Sequence, residues 1–332
     1  MALFSLHRYP WNFPSNNHGQ IFGIADSGVE TFNGTPIKSL ARKICQNSID
    51  ANLKNGEPTR IIFRTFEIAP SAIPGFDDLD DAFSRSLEYW SKQKSTKAKS
   101  FFQSALKLAK QPKITCLRIS DTNTTGLLGS DEEYNSPWCN LTKSQGASDK
   151  SGSHGSSFGI GKFAPYACSA FRTVFYSTLD SDGVAAYQGV ARLTSFKDKK
   201  GETTQGIGFY GADKNAPVKQ QISIDPSYSR EIGKSSTDIF VLGFNAPGNP
   251  QNSLGIVKYT HFHQKFFTVC RCGLKKMASL SDETRHLSLG CFLQPPAVGW
   301  PAGLFSFKPM KKDFQMCKLL YIILGGECAI VI

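Results

Sequence analysis

Between residues 171 and 244 the chain carries five strand-like runs in succession, and its helical stretches come before them. That segregation constrains the fold more than any other feature. The runs are 171–179, 183–196, 206–210, 220–224 and 237–244. Upstream, 36–52 reads as a helix, because Pro36 suits a first turn and Leu40, Ile44 and Ile49 recur at helical spacing. The β-branched and aromatic stretch 59–68 reads as a strand, and 114–120 as a short buried one. Residues 77–110 are charged and helical, with Phe83, Leu87, Trp90, Phe101, Phe102, Leu106 and Leu108 as apolar contacts. They form the body of a helical insertion spanning 70–112. A short helix is expected over 162–170. Helices kept apart from consecutive strands predict an α+β sandwich, with helices on one face of a mixed sheet.

Three other segments complete the division. Residues 1–35, rich in Pro, Asn and Gly, read as an irregular arm. Residues 127–160 are polar and aperiodic, as expected of a lid. From about 266 the alternation fades, and Cys270, Cys272, Cys291, Cys317 and Cys328 cluster there, so 246–332 reads as an atypical, loosely packed tail.

Composition narrows the class. Of 332 residues, 40% are hydrophobic and 20% charged, the balance of a soluble globular protein. The 38 basic and 27 acidic residues leave a formal charge of +11, which suits nucleic acid or an anionic membrane surface or, on the plainer reading, is a solvated surface that favours an anionic ligand such as ATP. No stretch approaches the ~18 uninterrupted apolar residues of a membrane span. The start has no secretory pattern, so the nine irregularly spaced cysteines are expected to be reduced thiols in a cytoplasm.

Three short segments then point to one nucleotide site. In Gln46-Asn47-Ser48-Ile49-Asp50-Ala51, Asn47 and Asp50 stand three apart on a helix, and an Asn amide oxygen can serve as a single protein ligand to Mg²⁺. In Ile119-Ser120-Asp121-Thr122-Asn123-Thr124-Thr125-Gly126, a carboxylate ends a buried strand, where it can accept from the exocyclic amine of adenine. Asp121 and Gly126 also fit ordinary turn chemistry. In Gly155-Ser156-Ser157-Phe158-Gly159-Ile160-Gly161-Lys162, glycines precede a helix whose amides and Lys162 can face phosphate. The spacing is not that of a P-loop, and Phe163 stands where a P-loop has Ser or Thr.

Together these residues resemble the GHKL ATPase superfamily of gyrase B, the large heat-shock chaperone, histidine kinases and MutL. Its helix carries Glu-x-x-x-Asn-x-x-Asp-Ala, its strand ends in Asp-x-Gly-x-Gly, and its lid carries Gly-x-x-Gly-x-Gly. Asn47, Asp50 and Ala51 match the first motif, Asp121 the acid of the second, and Gly159 and Gly161 the third, with Ser156 replacing a glycine. Thr237, in Ser236-Thr237, matches a later Gly-Thr element. The resemblance covers roughly residues 20–245 and implies a Bergerat-type sandwich. It further implies ATP and Mg²⁺ as cofactors, with Asn47 on the metal and Asp121 on adenine. Gly155, Gly159, Gly161 and Lys162 would cover the phosphates, assisted by Thr237. An ATP-dependent homodimer formed through the arm is implied as well. Two departures matter. Lys43 occupies the position of the glutamate that activates water, and Asn123 and Thr125 replace glycines. The expected function is therefore a nucleotide-gated switch with weak or lost hydrolysis. The alternative is a non-catalytic basic protein that binds nucleic acid on a degenerate ATPase fold.

Other constellations are weaker. His261, His263, Cys270 and Cys272 have only one residue between the members of each pair, against two to four in common zinc sites. His7 and His18 are the only histidines before the first motif, which argues against a phosphoacceptor helix. Ser153-His154 reads as lid polarity.

Overall fold

The computed structural model describes residues 9–34, 36–144, 160–244, 320–324 and 327–331. The strands are β1 (Trp11–Asn12), β2 (Arg60–Ile68), β3 (Ile114–Thr122), β4 (Thr173–Leu179), β5 (Ala185–Arg192), β6 (Ile207–Tyr210), β7 (Ser236–Val241), β8 (Leu320–Leu324) and β9 (Glu327–Val331). The helices are α1 (Ser27–Glu30), α2 (Pro36–Asp50), α3 (Phe76–Lys92), α4 (Thr96–Ala109), α5 (Pro137–Thr142) and α6 (Ala164–Ala167). The class is α+β. Strands β1 to β7 lie in the order β1-β6-β5-β4-β7-β3-β2, and β9 and β8 continue the sheet past β2. The terminal hairpin adds to β2 with Ile61 opposite Ile330 and Phe63 opposite Cys328.

The expected mixed sheet is corrected: every described neighbour pair runs antiparallel. Parallel neighbours need a crossover of a dozen or more residues. The long connection from β3 to β4 could provide one, but β7 lies between those strands.

The expectation of helices on one face is corrected too. Alternate residues of each strand enter two cores. Ile61, Phe63, Leu117, Ile119, Val174, Tyr176 and Val241 pack with Leu40 and Ile44 of α2 and Tyr166 of α6. Phe66, Cys116, Phe175, Tyr187 and Phe240 point the other way and pack with Phe76, Leu79 and Phe83 of α3 and Phe102 of α4. An antiparallel sheet can leave one face to water only where that face is polar. Here the second face carries large aromatics, and the insertion covers it. This is why β4 is buried along nearly its whole length rather than at alternate positions.

The run 220–224 is not a strand. Both edges of β4 are already taken by β5 and β7. The Ile222 amide instead donates to Ser177 Oγ (3.2 Å). Within the expected lid, α5 begins at the Ser136 cap, whose Oγ accepts from the Cys139 amide (3.0 Å), and Trp138 is fully buried. No helix among the described residues is long and apolar enough to cross a membrane. Cys45, Cys116, Cys139 and Cys168 are buried free thiols, and burial pushes Cys116 and Cys168 up to about 12.

Candidate functional site

Backbone hydrogen bonds join α2 to the end of β3. The Thr125 amide donates to the Ala51 carbonyl (2.7 Å) and the Leu53 amide to the Asn123 carbonyl (3.3 Å). The same turn is tied to the strands beyond it. The Leu127 amide donates to Thr178 Oγ1 (3.0 Å), the Ser181 amide to the Thr125 carbonyl (2.9 Å), and Ser235 Oγ to the Thr124 carbonyl (2.7 Å). These ties leave a cavity of about 80 Å³ between α2, the turn and the residues leading into α6.

Lys43, Asn47, Asp121, Gly126, Gly161, Lys162 and Thr237 all line it. Thus residues far apart in sequence converge on one space. Asp121 is half-buried in its wall. Its Oδ1 accepts from the Thr237 amide (2.7 Å) and Thr124 Oγ1 (2.9 Å), and its Oδ2 accepts from Ser48 Oγ (3.1 Å). Burial pushes this carboxyl above the ordinary carboxylate range; the Thr237 amide, the Thr124 hydroxyl, the Arg230 charge and the Ser48 hydroxyl pull it back. Apolar walls come from Ile44, Ile119, Leu127 and Ile239. A carboxylate held among aliphatic side chains suits a flat, partly apolar ligand with an amine at its edge.

Asp50 does not line the cavity. At 100° per residue, Leu40, Ile44, Asn47 and Ala51 cluster on one stripe of α2, and Asp50 falls outside it, beyond Lys43. Its side chain is exposed. Gly126 is required twice over, by φ of +66° and by the Leu179 carbonyl, which would lie 2.5 Å from a Cβ. Asn123, which replaces a motif glycine, sits at φ +60°, and Asn tolerates the left-handed region better than most residues. Gly155 and Gly159 lie outside the described residues, as do His261, His263, Cys270 and Cys272.

The two lysines hold distinct positions. The stem of Lys43 crosses Gly161 so closely that a Cβ there would lie 2.9 Å from Lys43 Cδ. Lys162 is 7% exposed and donates its ammonium to the Asn140 carbonyl (2.8 Å) and the Ser144 carbonyl, just past the end of α5. Desolvation, and then the Arg192 charge, lower its pKa to about 8. Arg192 in turn lies 4.3 Å over the Phe163 ring and pairs with Asp26 (3.5 Å), the cap of α1. The arm is therefore anchored directly behind Lys162.

Sequence reasoning missed Ser48, Thr124 and Tyr176. Tyr176 lines the cavity, and its hydroxyl donates to Tyr166 Oη (3.3 Å). It also missed the charges on the reverse face of β3. There Arg118 and Asp225 are fully buried 3.7 Å apart, Arg118 lies 3.5 Å over the Tyr228 ring, and Arg230 pairs with Asp238 (2.6 Å). Strand alternation next to Asp121 could have placed Arg118 and Ser120 on that face. No cluster of three or more His, Cys, Asp or Glu residues suited to a metal ion occurs among the described residues.

No protein-family model, curated protein or solved structure matches the chain.

Proposed function

We propose that this chain is an ATP-binding protein of the GHKL type on a Bergerat-like sandwich, working as a nucleotide-gated switch with weak or lost hydrolysis. The observation that carries the reading is the half-buried Asp121 carboxylate, held by Ser48, Thr124 and Thr237 in the wall of the cavity that Asn47, Gly126, Gly161 and Lys162 share. A carboxylate there accepts from the adenine amine and disfavours guanine, which presents a carbonyl. At about 80 Å³ the cavity is well below the ~300 Å³ or more of a full ligand pocket, so on this reading only part of the nucleotide enters it. The phosphates would therefore lie toward Lys43, Gly161 and Lys162. Where Mg²⁺ binds, the Asn47 amide would be its protein ligand, with water and phosphate oxygens supplying the rest. Lys43 cannot act as a general base while protonated, so slow turnover or none is expected. Domain closure, and a homodimer through the arm anchored by Asp26 and Arg192, would be the output.

The test is calorimetric titration of the full chain with ATP, with GTP as the control, beside Asp121→Asn. Saturable binding of ATP over GTP, lost in Asp121→Asn, supports the reading. The second reading rests on residues 92–113, which contain Lys92, Lys94, Lys97, Lys99, Lys107, Lys110 and Lys113, all exposed, and no acidic residue. Lys92 and Lys97 are paired with Glu88 and Glu30, which weakens that face. A protein that ignores ATP but binds duplex DNA with steep salt dependence would favour it.

A further inference from the structure

The charges that line the cavity carry the reading one step further. Lys43 enters from α2 and Lys162 from the residues before α6, while Asp121 is the single acidic residue in the lining. Three of about four acceptor sites of that carboxylate are taken, and the ATP reading assigns the remaining one to the adenine amine. Asp50, the other acid of the helix motif, is off the lining stripe. The cavity thus presents two ammonium groups, which together carry the charge of one divalent cation. A bound Mg²⁺ would have to sit beside both, and like charges in a partly desolvated cavity repel strongly.

We propose that this site takes the nucleoside triphosphate as a metal-free polyanion, with the Lys43 and Lys162 ammonium groups in the place a divalent cation would fill. The inference rests on the ATP reading above. Geometry supports it in two ways. Lys43 stands about one helical turn before Asn47, both residues line the cavity, and the Lys43 stem crosses Gly161, which lines it too. The flexible four-carbon stem can swing aside to admit phosphate without moving backbone. Lys162 has three N–H donors; two go to the Asn140 and Ser144 carbonyls, which aim the group and leave the third for an anion, as counted among the described residues. An ammonium already dehydrated by burial gives up little hydration when a phosphate arrives.

The experiment is calorimetric titration of the full chain with ATP in EDTA and again in excess Mg²⁺, repeated with Lys43→Glu and Lys43→Met. Wild type should bind at least as tightly in EDTA as in Mg²⁺. Lys43→Glu should lose about tenfold or more in EDTA, the effect of one partly desolvated charge contact, and recover part of it with Mg²⁺. Lys43→Met, which keeps most of the stem, should weaken binding in EDTA by less than Lys43→Glu. Wild-type binding that requires Mg²⁺ overturns this inference and leaves the ATP reading standing. Equal affinities of wild type and Lys43→Glu in EDTA also overturn it. No ATP binding in either buffer overturns the ATP reading itself, and this inference with it.

Discussion

Replacing Gly126 with alanine tests how tightly the turn after Asp121 is pressed against the sheet. Gly126 has φ +66°, and an added Cβ would lie 2.5 Å from the Leu179 carbonyl oxygen, 2.8 Å from Thr178 Oγ1 and 2.9 Å from the Asp180 Cα. Ordinary contact begins at 3.4 Å, so the carbonyl must recede by about 0.9 Å. It cannot do so cheaply. Strand β4 is paired on both edges, and Thr178 Oγ1 donates to the Ser236 carbonyl (2.8 Å) while accepting from the Leu127 amide (3.0 Å). The left-handed backbone costs an alanine about 1–2 kcal/mol, and overpacking a rigid neighbour adds about 1–3 kcal/mol, so Gly126→Ala should lose about 2–5 kcal/mol. Gly183 is the internal control: its φ is +81°, but a Cβ there meets nothing within 4 Å. Gly183→Ala should therefore carry only the backbone cost of about 1–2 kcal/mol. Urea unfolding followed by tryptophan fluorescence reads both, as a lower midpoint at unchanged slope. Equal losses in the two variants would refute the reasoning, because the close approach of the turn to β4 would then contribute nothing.

Two other perturbations probe buried charge. Asp225→Ala leaves the Arg118 guanidinium, 1% exposed, without its carboxylate, and should cost about 3–5 kcal/mol in the same assay; adding Arg118→Met should recover much of it, and a loss under about 1 kcal/mol would mean that the pair is not desolvated. Lys162 predicts a pH effect. Its folded pKa of about 8 lies below the ordinary 10.5, so between those values the unfolded chain binds more protons and stability rises with pH. Below pH 8 both states hold the proton and the contribution is constant. Relative to Lys162→Met, wild type should gain up to about 3 kcal/mol as pH rises through that window, and parallel curves would show that Lys162 is not desolvated.

Most of the elements were legible because their signals are local. Pro36 with Leu40 and Ile44 marked α2, and the β-branched run of β2 marked a strand; both lie where expected to within two residues. Layering was not legible. Phe175 and Tyr187 point away from α2, yet in sequence they look the same as Val174 and Ala186, which point toward it. Whether a strand is covered on one side or two depends on where the α3–α4 pair folds back, and that is a long-range property. The run 220–224 failed for the converse reason. Its composition suits a strand, but no sheet edge is open beside it, so Ser177 and not a ladder satisfies the Ile222 amide.

The candidate site was half legible, and the division follows the type of chemistry. Asp121 could be found because a lone acid ending an apolar strand is costly unless it is held, and its holders prove to be two hydroxyls and an amide. Ser48 and Thr124 could not be found, since hydroxyls are common and only the fold aims them. The carbonyls that hold Lys162 are backbone atoms with no sequence signature at all. On the proposed GHKL reading, the two departures from that pattern are also unequal. At Asn123 the glycine is gone but the left-handed backbone it would serve remains, at φ +60°, in a residue type that accepts it. At Lys43 the side chain itself faces the cavity, so the change from carboxylate to ammonium alters the charge a ligand meets. The first departure preserves the shape of the turn. The second reverses the electrostatics of the site, and any function of this chain must be reconciled with Lys43 before all else.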